Sequence, residues 1–87
     1  MEQKIRHSAQ LSDNLRRLRY DNGYSQETLC AELQRNECDI SRSTYAKYES
    51  NLMNIRVDVL VALQKIYGCD YSEFFKNVTS YSYGDLL

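Results

Sequence analysis

The side chains of this 87-residue chain that could act on another molecule are cations, hydroxyls and amides, not the groups of a catalytic centre. His7 is the single histidine and lies in an N-terminal segment without a partnered nucleophile. Neither a phosphate-binding glycine loop nor a metal-spaced cluster is present, so no enzymatic activity, metal or cofactor is expected. Cys30, Cys38 and Cys69 are odd in number and form no Cys-x-x-Cys, which argues against a disulfide framework or a zinc ribbon and for buried free thiols. Donors concentrate in Ser41-Arg42-Ser43-Thr44 and Lys47. A guanidinium and hydroxyls so grouped can grip an anion or the acceptor edge of a planar ligand. A second cationic group, Arg16, Arg17 and Arg19, fits either an anion-binding surface or a solvated helix face.

Those donors need helices to hold them, and the spacing of apolar residues with no proline in the chain predicts helices throughout. Leu11, Leu15 and Leu18 fall at i, i+4 and i+7, with Ser8 or Ser12 as possible caps and Asn22-Gly23 as the stop. Ser25 can cap a short second helix reaching Leu33, with Gln26 and Glu27 in its first turn. After the polar stretch 34–39, Ser41 at the N-cap places Ile40 and Tyr45 at the two ends of a hydrophobic staple, so a third helix runs from Arg42 to about Glu49. Tyr45 and Tyr48 then belong to the core. Arg42 stands in the first turn, at the positive end of the helix dipole, a poor place for a cation unless it serves a ligand. Val57, Leu60, Val61, Leu63 and Tyr67 mark a fourth helix closed by Gly68. Asp70-Tyr71-Ser72-Glu73 opens a fifth short helix, with Phe74 and Phe75 turned inward. Residues 77–87 carry no helical period and are expected to form a loose tail, with a short strand or partner-binding arm through Tyr81, Tyr83 and Leu86 as the alternative.

Composition bounds the rest. Chains divide into domains only near about 250 residues, so one domain spans 1–87. The longest apolar run, Val59 to Leu63, is far short of the ~20 residues that span a bilayer. Met1 to Gln10 is polar where a secretory signal needs an apolar stretch. A cytoplasmic protein with no membrane partner and no evident small-molecule ligand is expected. The formal net charge of −1 argues against sequence-blind binding to polyanions. Any anion-binding face must be assembled locally, because residues 1–20 carry a formal charge of +3 and residues 21–55 one of −3.

Three runs carry a family resemblance: Leu15-Arg16-Arg17-Leu18-Arg19, Gly23-Tyr24-Ser25-Gln26-Glu27-Thr28-Leu29, and Ser41-Arg42-Ser43-Thr44-Tyr45-Ala46-Lys47-Tyr48-Glu49. Together they resemble the Cro/repressor-type helix-turn-helix family, also called the XRE family. The likeness covers about residues 11–76. It implies an all-α fold, a compact five-helix lambda-repressor-like DNA-binding domain. The stretch 34–40 between the second and third helices is longer than the family's usual turn of about three or four residues and matches a subgroup with a lengthened turn. Asn51-Leu52-Met53-Asn54-Ile55 replaces the glycine and basic residues that relatives place after the third helix.

What the resemblance implies for function is a sequence-specific transcriptional regulator, a repressor acting as a homodimer on an inverted repeat of double-stranded DNA. The alternative is a helical, antitoxin-like protein-interaction module that keeps the fold without strong DNA binding. Arg42, Ser43 and Lys47 would face the major groove, about 12 Å wide, where the fork of Arg42 matches guanine O6 and N7. Gln26 would meet a phosphate and brace the third helix, and Ser41, Thr44, Arg16, Ser50, Asn51 and Arg56 would add contacts. Arg19 and Glu49 stand where relatives place an interhelical ion pair. Helix five, the tail and the Leu52-Met53 edge are the candidate dimer surfaces.

Overall fold

The computed structural model describes residues 4, 5 and 9–78. The expectations for His7, for Ser8 as a cap and for residues 79–87 lie outside the described residues. Within them the chain forms β1 (Lys4–Ile5), α1 (Ala9–Asp21), α2 (Gln26–Arg35), α3 (Arg42–Glu49), β2 (Ile55–Arg56), α4 (Val57–Tyr67) and a single 3-10 turn at Tyr71–Glu73. The two strands pair antiparallel, Lys4 opposite Arg56 and Ile5 opposite Ile55. A two-residue ribbon has no period to read in a sequence, and it was not expected of an all-α chain.

Four α-helices therefore replace the expected five. Asp70 does cap the last element, its carboxylate accepting from the Ser72 amide at 3.1 Å. The bonds that follow are all of the tight i→i+3 type, from Glu73, Phe74 and Phe75 back to Asp70, Tyr71 and Ser72. Carbonyls that a longer helix would bond internally are taken by α1 instead. Asn14 Nδ2 donates to the carbonyls of Phe74 at 2.9 Å and Lys76 at 2.8 Å, and Arg17 donates to that of Glu73 at 3.0 Å. Phe74 is fully buried by this clamp, while Phe75 is half-buried.

The helices form where caps and apolar spacing agree. Ser25 accepts from the Thr28 amide while Thr28 Oγ1 accepts from the Ser25 amide, a complete capping box at the start of α2. Ser41 accepts from the Thr44 amide at 3.1 Å and sets the start of α3. Ser12 is not a cap: it lies inside α1, is buried, and donates to the carbonyl of Tyr48 at 2.9 Å. Leu11, Leu15 and Leu18 of α1 meet Leu29 and Leu33 of α2 and Leu60 and Leu63 of α4 in one core. Ile40 and Tyr45, the two staple residues, are both buried in it. Tyr45 and Tyr48 pack edge to face, with ring centroids 6.2 Å apart. The cysteines are free, with Cys38 buried and Cys30 and Cys69 half-buried, and burial pushes all three thiols up in pKa.

The ends of α1, α2 and α3 share one device. Each helix closes with paired 6→1 and 5→2 backbone bonds around a residue with positive φ: Gly23 at 76°, Glu37 at 62° and Asn51 at 60°. At α2 the Cys38 amide donates to the Leu33 carbonyl at 2.9 Å and the Glu37 amide to that of Gln34 at 3.1 Å. Cys38 and Leu33 are both buried, as this motif's hydrophobic contact requires. The long turn is thus a structured helix ending followed by the approach to Ser41. Asn51 adopts the left-handed conformation that glycine takes without steric cost.

Two stability outcomes follow from these positions. Tyr45→Ala should cost about 3 to 5 kcal/mol, because a whole buried ring is lost. Denaturant unfolding at the wild-type midpoint would reject its core placement. Glu37→Gly should raise stability by about 0.5 to 1 kcal/mol, since glycine removes the left-handed penalty but adds entropy to the unfolded chain. A lower midpoint for that variant would show that the Glu37 side chain contributes more than its strained backbone costs.

Candidate nucleic-acid interface

α1 and α3 are joined by an ion pair that water scarcely reaches. Arg19 and Glu49 are 6% and 3% exposed. The Arg19 Nε donates to Glu49 Oε2 at 2.7 Å and a terminal nitrogen donates to Oε1 at 3.0 Å, a bidentate geometry. The other terminal nitrogen donates to the Tyr24 carbonyl at 3.0 Å, and the Tyr20 ring covers the guanidinium with its centroid 4.5 Å from Cζ. The hydrogen bonds to Glu49 raise the Arg19 pKa against the opposing effect of burial. Burial alone would push the Glu49 carboxyl up, but the hydrogen bonds from Arg19 and Gln26, with the nearby Tyr45 hydroxyl, outweigh it and hold the group below the ordinary carboxylate value. The Tyr45 hydroxyl is turned toward this carboxylate without meeting the geometry of a full hydrogen bond.

Two expected DNA-contacting residues converge on the same Glu49. Gln26 Nε2 donates to Glu49 Oε1 at 3.2 Å, so the residue opening α2 braces the residue closing α3. Arg16 donates to the backbone carbonyl of Glu49 at 2.7 Å and to Asp13 Oδ1 at 3.2 Å. The resemblance implied a brace from Gln26 to the third helix but not its partner, and nothing in the sequence announced the Arg16 contact. Gln26 lies 23 positions before Glu49 and Arg16 lies 33 before it, and neither spacing has a periodic meaning.

The expected reading residues occupy the outer side of α3. Arg42, Ser43 and Lys47 are exposed, while Tyr45, Tyr48 and Glu49 fill the inner side. Among the described residues neither Arg42 nor Lys47 has an ion-pair partner. Ser41, Ser43 and Thr44 are tied together: Ser41 Oγ lies 3.0 Å from both Ser43 Oγ and Thr44 Oγ1 while it accepts the capping bond. Ser50 and Asn51 are exposed at the far end of α3. Arg56 sits apart from that helix, at the entry to α4, and forks onto Asp58 at 3.0 and 2.5 Å. Its hydrogen bonds lower the Asp58 pKa. The Arg16, Arg17, Arg19 cluster is neither a free anion site nor a purely solvated face. Arg17 pairs with Asp21 at 3.6 Å and Glu73 at 3.5 Å, so all three arginines tie elements together. Leu52 and Met53 separate: Leu52 is 76% exposed, while Met53 packs half-buried against the core.

No helix among the described residues is long and apolar enough to cross a membrane, and no cluster of metal-ligating side chains occurs among them. A family model described as helix-turn-helix matches residues 15–74, from the middle of α1 through the 3-10 turn. No curated protein and no solved structure matches the chain.

The Glu49 carboxyl gives the fold a defined acid response. Because the fold lowers its pKa from 4.5, the stability it contributes is complete above that value and is lost as pH falls below it toward the folded value. Melting temperatures measured from pH 7 to pH 3 should therefore drop in the acid range. Glu49→Gln should be less stable by about 3 kcal/mol or more at pH 7, because it leaves Arg19 buried without its counter-ion. Its acid slope should also be flatter, and equal slopes for the two proteins would assign the acid sensitivity to other groups.

Proposed function

The chain belongs to the XRE-type helix-turn-helix family of DNA-binding regulators, and from that premise we propose that it is a sequence-specific transcriptional repressor acting as a homodimer on an inverted-repeat operator. The observation that carries the reading is the division of α3 into two sides. Tyr45, Tyr48 and Glu49 lock one side into the core, and Arg42, Ser43 and Lys47 stand on the other with no ion pair among the described residues. A rigid helix of that kind fits the major groove, and donors near its N-terminal end reach base edges.

Arg42 reads a base, its two parallel N–H donors matching guanine O6 and N7. Ser43 and Lys47 lie along the same exposed side. Gln26 and Arg16, both anchored on Glu49, hold phosphates near the end of the reading helix, Arg16 only by sharing its guanidinium with Asp13 and the Glu49 carbonyl. Ser41, Thr44, Ser50 and Asn51 supply backbone contacts at the two ends of α3. Arg56 contributes a further one only by sharing its guanidinium with Asp58. One helix of eight residues meets only a few base pairs. Two copies about one helical turn apart, on a symmetric site, supply the length of sequence that a promoter address needs.

A titration of wild type and two variants against the upstream region of its own gene and a scrambled duplex tests this reading. Arg42→Ala should lose about 1 to 3 kcal/mol on the operator and relax preference at one base position. Gln26→Ala should weaken both duplexes alike. With so few unpaired cations at the reading face, the log-log salt slope should be shallow, about 2 to 5 per dimer. Equal wild-type affinity for both duplexes, or no binding at about 100 mM salt, would remove the repressor and favour a protein-interaction module.

A further inference from the structure

Resting on that DNA-binding reading, we propose that Glu49 is a positioning residue for the phosphate grip: it fixes which face the Gln26 amide shows to DNA and couples that grip rigidly to the reading helix. The argument starts from donor and acceptor chemistry. An ionised carboxylate only accepts hydrogen bonds, and both Glu49 oxygens already receive Arg19, Oε1 at 3.0 Å and Oε2 at 2.7 Å. The group facing Oε1 from α2 must be a donor, which settles the orientation of the Gln26 amide with Nε2 toward Glu49 at 3.2 Å. One Nε2 hydrogen is used there. The second is left to donate to an anion outside the fold, and a phosphate oxygen is an acceptor only.

Without the carboxylate the amide is free to flip. Half of its orientations would then present the Gln26 carbonyl oxygen to a phosphate, acceptor against acceptor. Glu49 also fixes Arg16, whose terminal nitrogen donates to its backbone carbonyl at 2.7 Å. A donor from α1 and a donor from α2 are thereby registered to the last residue of α3, seven positions beyond Arg42. Base reading and phosphate holding move as one body.

The test is a double-mutant cycle in DNA binding, not in stability. Glu49→Asp keeps a negative charge opposite Arg19 but draws the carboxylate back by one methylene, away from Gln26, so it serves where Glu49→Gln fails to fold. Wild type, Gln26→Ala, Glu49→Asp and the double variant are titrated by fluorescence anisotropy against operator and scrambled duplex, at a temperature where circular dichroism shows each fully folded. Each single variant should bind both duplexes about 5- to 10-fold more weakly, the effect of one hydrogen bond to a charged group, with the operator preference unchanged. The double variant should be no weaker than either single one, because both remove the same contact. Losses that multiply, or wild-type binding by Glu49→Asp, would overturn the positioning role. Wild type binding neither duplex would instead remove the DNA-binding reading on which it rests.

Discussion

Moving a guanidinium and a carboxylate out of water costs several kcal/mol per ion, and their attraction repays that only when the pair is closely aligned and further hydrogen bonds reach it. Arg19 and Glu49 meet this condition through elements far apart in the chain. The Tyr24 carbonyl closes α1 onto the pair, the Tyr20 ring shields it, and Gln26 brings in the first turn of α2. Loss of either charge would strand the other in the core. The relative placement of α1, α2 and α3 is therefore constrained by one bidentate contact, and the face that α3 shows to solvent follows from it.

Short helices packed around such a contact must stop abruptly. All four do so with a left-handed residue, and only Gly23 and Gly68 supply it without steric cost. Glu37 and Asn51 accept the strain because the backbone bonds around them satisfy carbonyls that the helix would otherwise leave open. At the end of α2 this geometry buries Cys38 against the core and delivers the chain to Ser41 with Ile40 pointing inward. The length of the turn is thus absorbed as helix-ending structure, and it leaves α3 with a normal cap and an outward Arg42.

Net charge is a poor guide to the binding face of this protein. Arg16, Arg17, Arg19, Arg35 and Arg56 each have an acidic partner within the fold, and the partners are spread over all four α-helices and the 3-10 turn. Arg42 and Lys47 have none among the described residues, and both sit on one exposed side of α3. A near-neutral chain can present a local cationic edge because its other described arginines pair with acidic groups inside the fold. Such an edge favours reading over sequence-blind adhesion, since few phosphate charges are neutralised per copy.

Local chemistry made much of this legible in the sequence. The caps at Ser25 and Ser41, the stops at Gly23 and Gly68, and the inward leucines and tyrosines all depend on partners within four residues or on a 3.6-residue period. The Arg19–Glu49 pair came only through family resemblance, for nothing between those positions links them. Tertiary structure alone decided that the residues after Asp70 make one 3-10 turn, because Asn14, 60 positions before Phe74, takes the carbonyls a helix would need. It likewise turned Ser12 from a possible cap into a buried tie to Tyr48, paired Lys4–Ile5 with Ile55–Arg56, and brought Arg16 onto Glu49. In each case the missing fact was a hydrogen-bonding partner at a separation no local pattern encodes, so it existed only once the helices had packed.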